Sequence, residues 1–582
     1  MTPMIKLARY LKYFLKEVII GPLFKLTEAI FELIVPLVMA KIIDVGIKNG
    51  DAAYIWKMGG LMVLLGVAGL CFALICQYLA SKASQGVGTM LRNDLFLHIN
   101  SFSYAEIDKL GTPSLITRIT NDVNQIQVAV AMLIRLVVRA PFLVVGAAVM
   151  AMMLDLKLSL TFLAAAPLVA IALYLVMSRS IPFYRVIQKK LDKISLITRE
   201  NLTGVRVIRA FSKQKDEEKR FDDASDDLTK TAVRVGKISA LLNPITFMIM
   251  NMAIVAVVWF GGMRVDTGAL TQGQVIAFVN YMTQIMLALV VVANLVILFT
   301  KASACAARIN EVLETKPSVE EKTVQPAVPV KGAPKIEFKN VSFSYHKDSL
   351  EYALENIDFK ILPGQTIGVI GGTGSGKTTL VSLIPRFYDV TCGQILVDGV
   401  DVRDYPFHQL RSQIGMVPQR AVLFSGTIRQ NMRWGKADAT DQEILEALEI
   451  AQAAEFVDKL KNGLDTLILQ EGKNLSGGQK QRLTIARALV SRPQILILDD
   501  SASALDFATD YKLRKAIAAK TRETTVFLVS QRANTVKRAD QIIVLDDGRV
   551  AGIGTHLELY ENCPIYREIC LSQLSEEEAK RQ

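Results

Sequence analysis

Six apolar stretches dominate the first 300 positions of the chain, near 18 to 42, 55 to 81, 131 to 154, 158 to 180, 239 to 262 and 274 to 300. Each is long enough to cross a bilayer core of about 30 Å, which takes about 20 helical residues. An even number of crossings returns the chain to its starting side. The connections are lopsided: those after the first, third and fifth stretches are short, whereas 82 to 130 and 181 to 238 are long, charged and still helical in period. The pattern predicts spans that continue beyond the membrane as paired helices, reaching roughly 33 Å for about 22 residues each. They turn round near SYAEIDKLG (103 to 111) and NLTGVRVIRAF (201 to 211), two candidate contact points for a cytoplasmic domain. Before the first span, MIKLARYLKYFLK sets Leu7, Leu11, Phe14 and Leu15 on one helical face and Arg9, Lys12 and Lys16 on the other. That is the pattern of an interfacial helix. The run that follows is interrupted by Lys25, Glu28 and Glu32 and lacks a clear small-residue cleavage site, which argues against a cleaved secretory leader.

After position 314 the pattern changes. The stretch TKPSVEEKTVQPAVPVKGAP (315 to 334) is rich in Pro, Val and charge, has no helical period and reads as a linker. Beyond it, KIEFKNVSFSY and YALENIDFKI alternate like antiparallel strands, and TIGVIGGTGSGKTTLVSLI runs strand, glycine loop, helix. The expected organisation is an all-α transmembrane domain over 1 to 314, the linker, and an α/β domain over 335 to 582. The charged tail SEEEAKRQ is expected to fray.

Composition supports a membrane chain: 51% of the 582 residues are hydrophobic and mean hydropathy is positive, +0.31. The net charge of +11 does not mark a nucleic-acid binder, because the cations concentrate between apolar spans. Fifteen Lys and Arg lie between Arg179 and Lys237. This bias puts the long loops, and with them both termini, on the cytoplasmic side of a multi-pass protein of the cytoplasmic (inner) membrane. Six cysteines form no CxxC pair and have no His at ligand spacing, which argues against a disulfide framework or a zinc site.

The glycine loop fits G-x-x-x-x-G-K-[ST] through Gly371, Gly376, Lys377 and Thr378, with Gly374, Ser375 and Thr379 around them. Glycines let backbone N–H groups curl around phosphate oxygens, the Lys reaches the β and γ phosphates of ATP, and the Thr hydroxyl serves Mg²⁺. A second feature agrees with this reading. The apolar strand in ILILDDSASALD ends in Asp499, the carboxylate that such a site uses to hold Mg²⁺.

Between these two features lies NLSGGQKQRLTIARAL, whose Leu475 to Gln479 read LSGGQ about twenty residues before the Asp499 strand. This resembles the signature of the ABC transporter superfamily. Nearly the whole chain, six spans and then one nucleotide-binding domain, is similar to half-size exporters of the bacterial multidrug type. The resemblance implies a type I exporter fold and, residue by residue, several roles. Tyr345 matches the aromatic that stacks on adenine. Gln419, in MVPQ, matches the glutamine that approaches Mg²⁺ and the attacking water, and Asp506 the aspartate at the dimer interface. Two such domains sandwich two ATP molecules, so Ser476, Gly477, Gly478 and Gln479 would serve a nucleotide held by a partner chain. The intervening TDQEILEALEIAQAAEFVDKL, with a capping box at Thr440 and Glu443, fits the helical subdomain that carries the signature.

Two positions depart from the family pattern, and both bear on hydrolysis. Where the family has a catalytic Glu, this chain has Asp500; where it has a phosphate-contacting His, this chain has Gln531. Asp is one methylene shorter, and a misplacement of about 1 Å can cost on the order of 10²-fold in rate. Gln can hydrogen-bond phosphate but cannot become cationic. An intact signature beside an altered site is expected of the degenerate-site subunit of a heterodimer whose other half-transporter carries the competent site. A homodimer with two slow sites and an ATP-gated channel or sensor are the alternatives. The expected substrate is a hydrophobic or amphiphilic small molecule. Glu28 and Glu32 on one face of the first span are candidates for a cationic amphiphile or for pairing with Lys25, Arg135 or Arg139, and TFMIMNMAIV (246 to 255) for an adaptable wall or for packing.

Overall fold

A computed structural model describes residues 3–580 apart from 322–324, 346–350, 502 and 522. The chain forms two compact units, one from residues 1–100 and 113–314, the other from 101–112 and 315–582.

Among the described residues of the first unit, five helical stretches are long and apolar enough to cross a membrane: Ala52–Asn100, Thr112–Leu154, Leu156–Thr203, Gln214–Asp266 and Gln272–Glu314. The first predicted span is a continuous helix, Leu15–Lys41, but Lys25, Glu28 and Glu32 in its middle keep it from the same apolarity. Those charges are paired. Lys25 Nζ lies 2.5 Å from Glu28 Oε2, and Arg139 lies 2.6 Å from Glu32 Oε2. Leu33, Leu143, Phe162, Phe278 and Tyr281 pack into a common core, and the Tyr281 hydroxyl donates to the Leu33 carbonyl (2.7 Å). Gly273 allows a still closer approach: a Cβ there would come within 2.4 Å of the Ala40 carbonyl oxygen. Leu163, Ile171, Tyr174, Trp259 and Phe260 point outward, the arrangement a lipid surround requires. In the Met-rich stretch, Met248 and Met252 are exposed while Met250 packs near Val169 and Met286. The N-terminal segment is helical, as Pro3–Leu7 and a 3-10 run Ala8–Phe14, but its inward face differs from the simple periodicity. Leu7 and Tyr10 are buried and Leu15 is exposed, because the Tyr10 hydroxyl donates to Asp94 (2.7 Å).

In the second unit, strands β1 (Ile336–Phe343), β2 (Leu354–Ile361), β4 (Cys392–Val397) and β5 (Val400–Asp401) make an antiparallel sheet in the order β2-β1-β4-β5. A second sheet has the order β12-β11-β3-β10-β9-β6, from β3 (Thr366–Gly371), β6 (Ile414–Val417), β9 (Ile495–Asp499), β10 (Thr525–Val529), β11 (Gln541–Asp546) and β12 (Arg549–Gly554). It is parallel except at the β11–β12 edge. The parallel strands are buried, near-continuous apolar runs, as a sheet covered on both faces requires. Gly426–Thr427 (β7) and Leu467–Ile468 (β8) pair beside a helical subdomain. Its core joins Ile428, Ile444, Leu448 and Leu483, and its predicted capping box at Thr440 and Glu443 is formed.

The turn at 101–112 belongs to this unit. Its helix Tyr104–Leu110 starts with a Ser103/Glu106 capping box, the Tyr104 ring lies 4.7 Å from that of Phe387, and the Tyr388 hydroxyl donates to Asp108 (3.1 Å). The described linker residues are strapped down. Arg386, fully buried, donates to the Glu320 carbonyl (3.1 Å), and Gln409 exchanges two 2.8 Å bonds with the Ala327 backbone. The tail also departs from expectation. It forms a helix, Glu576–Lys580, with Ala579 fully buried. Its Ala579 carbonyl accepts from His556 Nε2 (2.9 Å), while His556 Nδ1 accepts from the Tyr566 hydroxyl (2.9 Å).

Candidate functional site

β3 runs between β10 and β11 and ends at Gly371, where the chain turns through 372–376 into the helix Lys377–Leu383. Gly374 (φ 84°) and Gly376 (φ 93°) hold left-handed conformations that a side chain would strain. The Lys377 ammonium folds back over the loop and donates to the carbonyls of Gly371 (3.0 Å) and Gly372 (2.6 Å) and to Ser375 Oγ (3.3 Å). Thr378 Oγ1 donates to Asp499 Oδ1 (3.1 Å), the buried carboxylate at the end of β9. The next residue, Asp500, sits in the left-handed region (φ 43°) and gives its N–H to the Val529 carbonyl (2.9 Å). This bend brings its carboxylate into the same cavity as the Gln419 side chain.

These residues share one cavity of about 290 Å³. The loop and its helix contribute Gly374, Gly376, Lys377, Thr378 and Thr379; Gln419, Asp499, Asp500 and Gln531 follow or end strands of the parallel sheet; Tyr345 completes it. Gly371, which ends β3, and Ser375, within the loop, do not line it. Tyr345 is half exposed, its hydroxyl bonded to Thr379 Oγ1 (2.9 Å) and its ring edge-on to Phe343 and Tyr388, so an aromatic face is available beside the phosphate loop.

Burial dominates the electrostatics of the charged groups in the site. Burial raises the Asp499 carboxyl above its ordinary range and the Asp500 charge adds to this, against Thr378 and Lys377. Burial likewise raises Asp500, opposed by Arg532, Lys377 and Gln419. Burial lowers Lys377, opposed by both aspartates. Among the described residues no group of three or more His, Cys, Asp or Glu is placed to hold a metal ion. A hydroxyl, a buried carboxylate and a glutamine amide are the hard oxygen donors Mg²⁺ takes when phosphate and water complete its shell. Thr378, Asp499 and Gln419 fit that ion.

The signature lies elsewhere on the chain. Ser476 N-caps the helix Gly477–Val490, with Gln479 N–H donating to its Oγ (3.3 Å) and its own N–H donating to Gln479 Oε1 (2.9 Å). A Cβ on Gly477 would meet nothing within 4 Å, so this helix end is open to another molecule. Asp506 caps the helix Phe507–Lys520 through the Thr509 N–H (2.9 Å). Ser476, Gly477, Gly478, Gln479 and Asp506 do not line the cavity of this chain. Sequence reading missed Ala353, Thr373 and Val529, which do line it. Only Thr373, inside the glycine loop, carried a signal. Arg532, whose charge acts on Asp500, was signalled only by its place next to Gln531.

A P-loop parallel sheet with a helical signature subdomain, following a bundle of membrane-length helices, defines an ATP-driven membrane transporter. Residues 18–289 match the family model described as "ABC transporter transmembrane region" and residues 354–503 the one described as "ABC transporter". The chain is 41% identical over 555 residues, 94% of each chain, to an uncharacterized ABC transporter ATP-binding protein of Mycobacterium tuberculosis. It is 32% identical over 586 residues, 99% of this chain and 98% of the relative, to the ATP-dependent lipid A-core flippase of Chromobacterium violaceum. The solved structure of a bacterial Atm1-family ABC exporter with ATP bound superposes with a TM-score of 0.79 at 25% identity, covering 98% of this chain and all of that one. This chain belongs to the ABC transporter family, and its fold is that of a type I exporter.

Proposed function

We propose that the protein exports a hydrophobic or amphiphilic small molecule, a drug or a lipid, as one half of a heterodimer in the cytoplasmic membrane. Its own ATP site binds but scarcely hydrolyses, and its LSGGQ completes the competent site of its partner. The observation that carries this reading is the pairing of Asp500 and Gln531 in the cavity with an intact, outward-facing Ser476 to Gln479. At this chain's site the P-loop amides and Lys377 would bind the phosphates, Tyr345 the adenine, and Thr378, Asp499 and Gln419 would hold Mg²⁺. That ion supplies charge neutralisation at the phosphates when bound. Asp500 is one methylene short of the position where a general base would meet water, and Gln531 offers no positive charge. Binding is preserved and bond cleavage impaired, as a clamp requires.

The membrane domain crosses six times in this reading, Leu15–Lys41 included. The Lys25–Glu28 and Arg139–Glu32 pairs neutralise the charges of that helix, which is how ionisable groups persist in a bilayer. The same pairing removes Glu28 and Glu32 as free anchors for a cationic substrate. Both termini are cytoplasmic.

Purification from the native membrane tests the pairing. A second half-transporter carrying the catalytic Glu and the His is expected to accompany this chain, which alone should show little ATPase until that partner is added. Ordinary transporter turnover by the isolated chain would refute the assignment.

A further inference from the structure

The short helix Ala533–Val536 begins two residues after Gln531, and its N-cap residue, Arg532, makes no side-chain cap. Arginine has donors only and cannot accept from an N–H. The missing acceptor comes from forty residues away. Gln573 Oε1 accepts from the Ala533 N–H (2.9 Å), and Gln573 Nε2 donates to the Gln531 carbonyl (2.8 Å). One amide thus clasps the backbone on both sides of Arg532, the residue whose charge acts on Asp500.

The clasp stands on a rigid base. Gln573 follows the helix Pro564–Leu571, whose Tyr566 and Cys570 are fully buried in a cluster with Ile370, Ala533, Val536 and Val544. Ile370 immediately precedes the P-loop glycine Gly371. The next helix is held by His556 at Ala579 and by Lys537, whose ammonium donates to the Glu578 carbonyl (2.6 Å). On its other side the Gln531 loop is fixed to β3, with Ser530 N–H donating to the Val369 carbonyl (3.0 Å).

We propose that Gln573 is a positioning residue for the nucleotide site: the C-terminal segment Pro564–Lys580 holds the Gln531 loop in the cavity, so that release of this segment loosens the hold on the γ-phosphate. The consequence for nucleotide rests on the reading that Gln531 faces that phosphate; the clasp itself does not. The test uses the full chain in complex with its partner and two readouts. Hydrogen exchange of peptides covering 530–536 reports the clasp, with β10 as internal control. The rate of ATP loss from this chain's site reports its consequence.

Gln573→Ala is expected to speed exchange at 530–536 about tenfold and ATP loss severalfold, with β10 unchanged. Gln573→Glu keeps an acceptor for Ala533 but sets a carboxylate against the Gln531 carbonyl. It should leave the Ala533 amide protected and still speed ATP loss, a split that a merely structural role would not give. Unchanged exchange in Gln573→Ala overturns the clasp. Altered exchange with unchanged ATP loss overturns the positioning role, and a parallel Gln531→Ala without effect on ATP loss traces that failure to Gln531's assumed contact.

Discussion

Ser476→Arg is expected to abolish ATP turnover by the proposed heterodimer while leaving this chain's own P-loop able to bind nucleotide. The helix Gly477–Val490 presents its N-terminus with Gly477 open to its surroundings, and such an end binds phosphate through free N–H groups and the helix dipole. An arginine in place of the N-cap fills that cradle and removes the oriented hydroxyl. Loss of a single stabilising donor in an active site costs about 10²- to 10³-fold in rate, and blockage of the whole cradle should exceed this. Because Ser476 also caps the helix, Ser476→Ala is the control; it forfeits about 1 kcal/mol of helix capping without filling the cradle. Steady-state ATPase and nucleotide occupancy, measured together, distinguish the two substitutions.

Lys377→Ala should have the complementary effect. It removes the ammonium now satisfied by the Gly371 and Gly372 carbonyls and Ser375, the cation that would pass to the β and γ phosphates. Charge-assisted hydrogen bonds contribute about 1.5–3 kcal/mol each, so ATP retention at this chain's site should fall about 10- to 100-fold. Turnover at the partner's site should decline only as far as closure of the two domains depends on the clamp. Equilibrium binding of radiolabelled ATP to the complex checks the first effect, and ATPase at saturating ATP the second.

Much of the nucleotide site was legible because its chemistry is written in short motifs. The glycine loop fixes Lys377 and Thr378 by spacing alone, and the apolar run before Asp499 predicts the buried strand that aims it. The departures Asp500 and Gln531 were visible for the same reason. What escaped the sequence depends on partners far apart along the chain. The turn at 103 to 111 was legible as a contact point, but nothing local marks Tyr104 as the ring that meets Phe387, or Gln573 as the acceptor for Ala533. The charged tail read as frayed because its anchor, the buried His556, reaches back from outside it. In the N-terminal segment helical periodicity favoured Leu11 and Leu15, whereas the hydrogen bond to Asp94 selected Tyr10. The charges of the first span were plain, but their partners were a choice among Lys25, Arg135 and Arg139 that only packing resolves.

The central claim, that this chain's own site is impaired by Asp500 and Gln531, is tested most directly by the ATPase of the heterodimer after the partner's catalytic glutamate is replaced by glutamine. The account predicts that turnover falls to a few per cent, consistent with a misplaced base costing on the order of 10²-fold, and that Asp500→Glu with Gln531→His in this chain restores a substantial part of it. Retention of about half the original activity before any change to this chain would show that its site hydrolyses as well as its partner's, and would contradict the account.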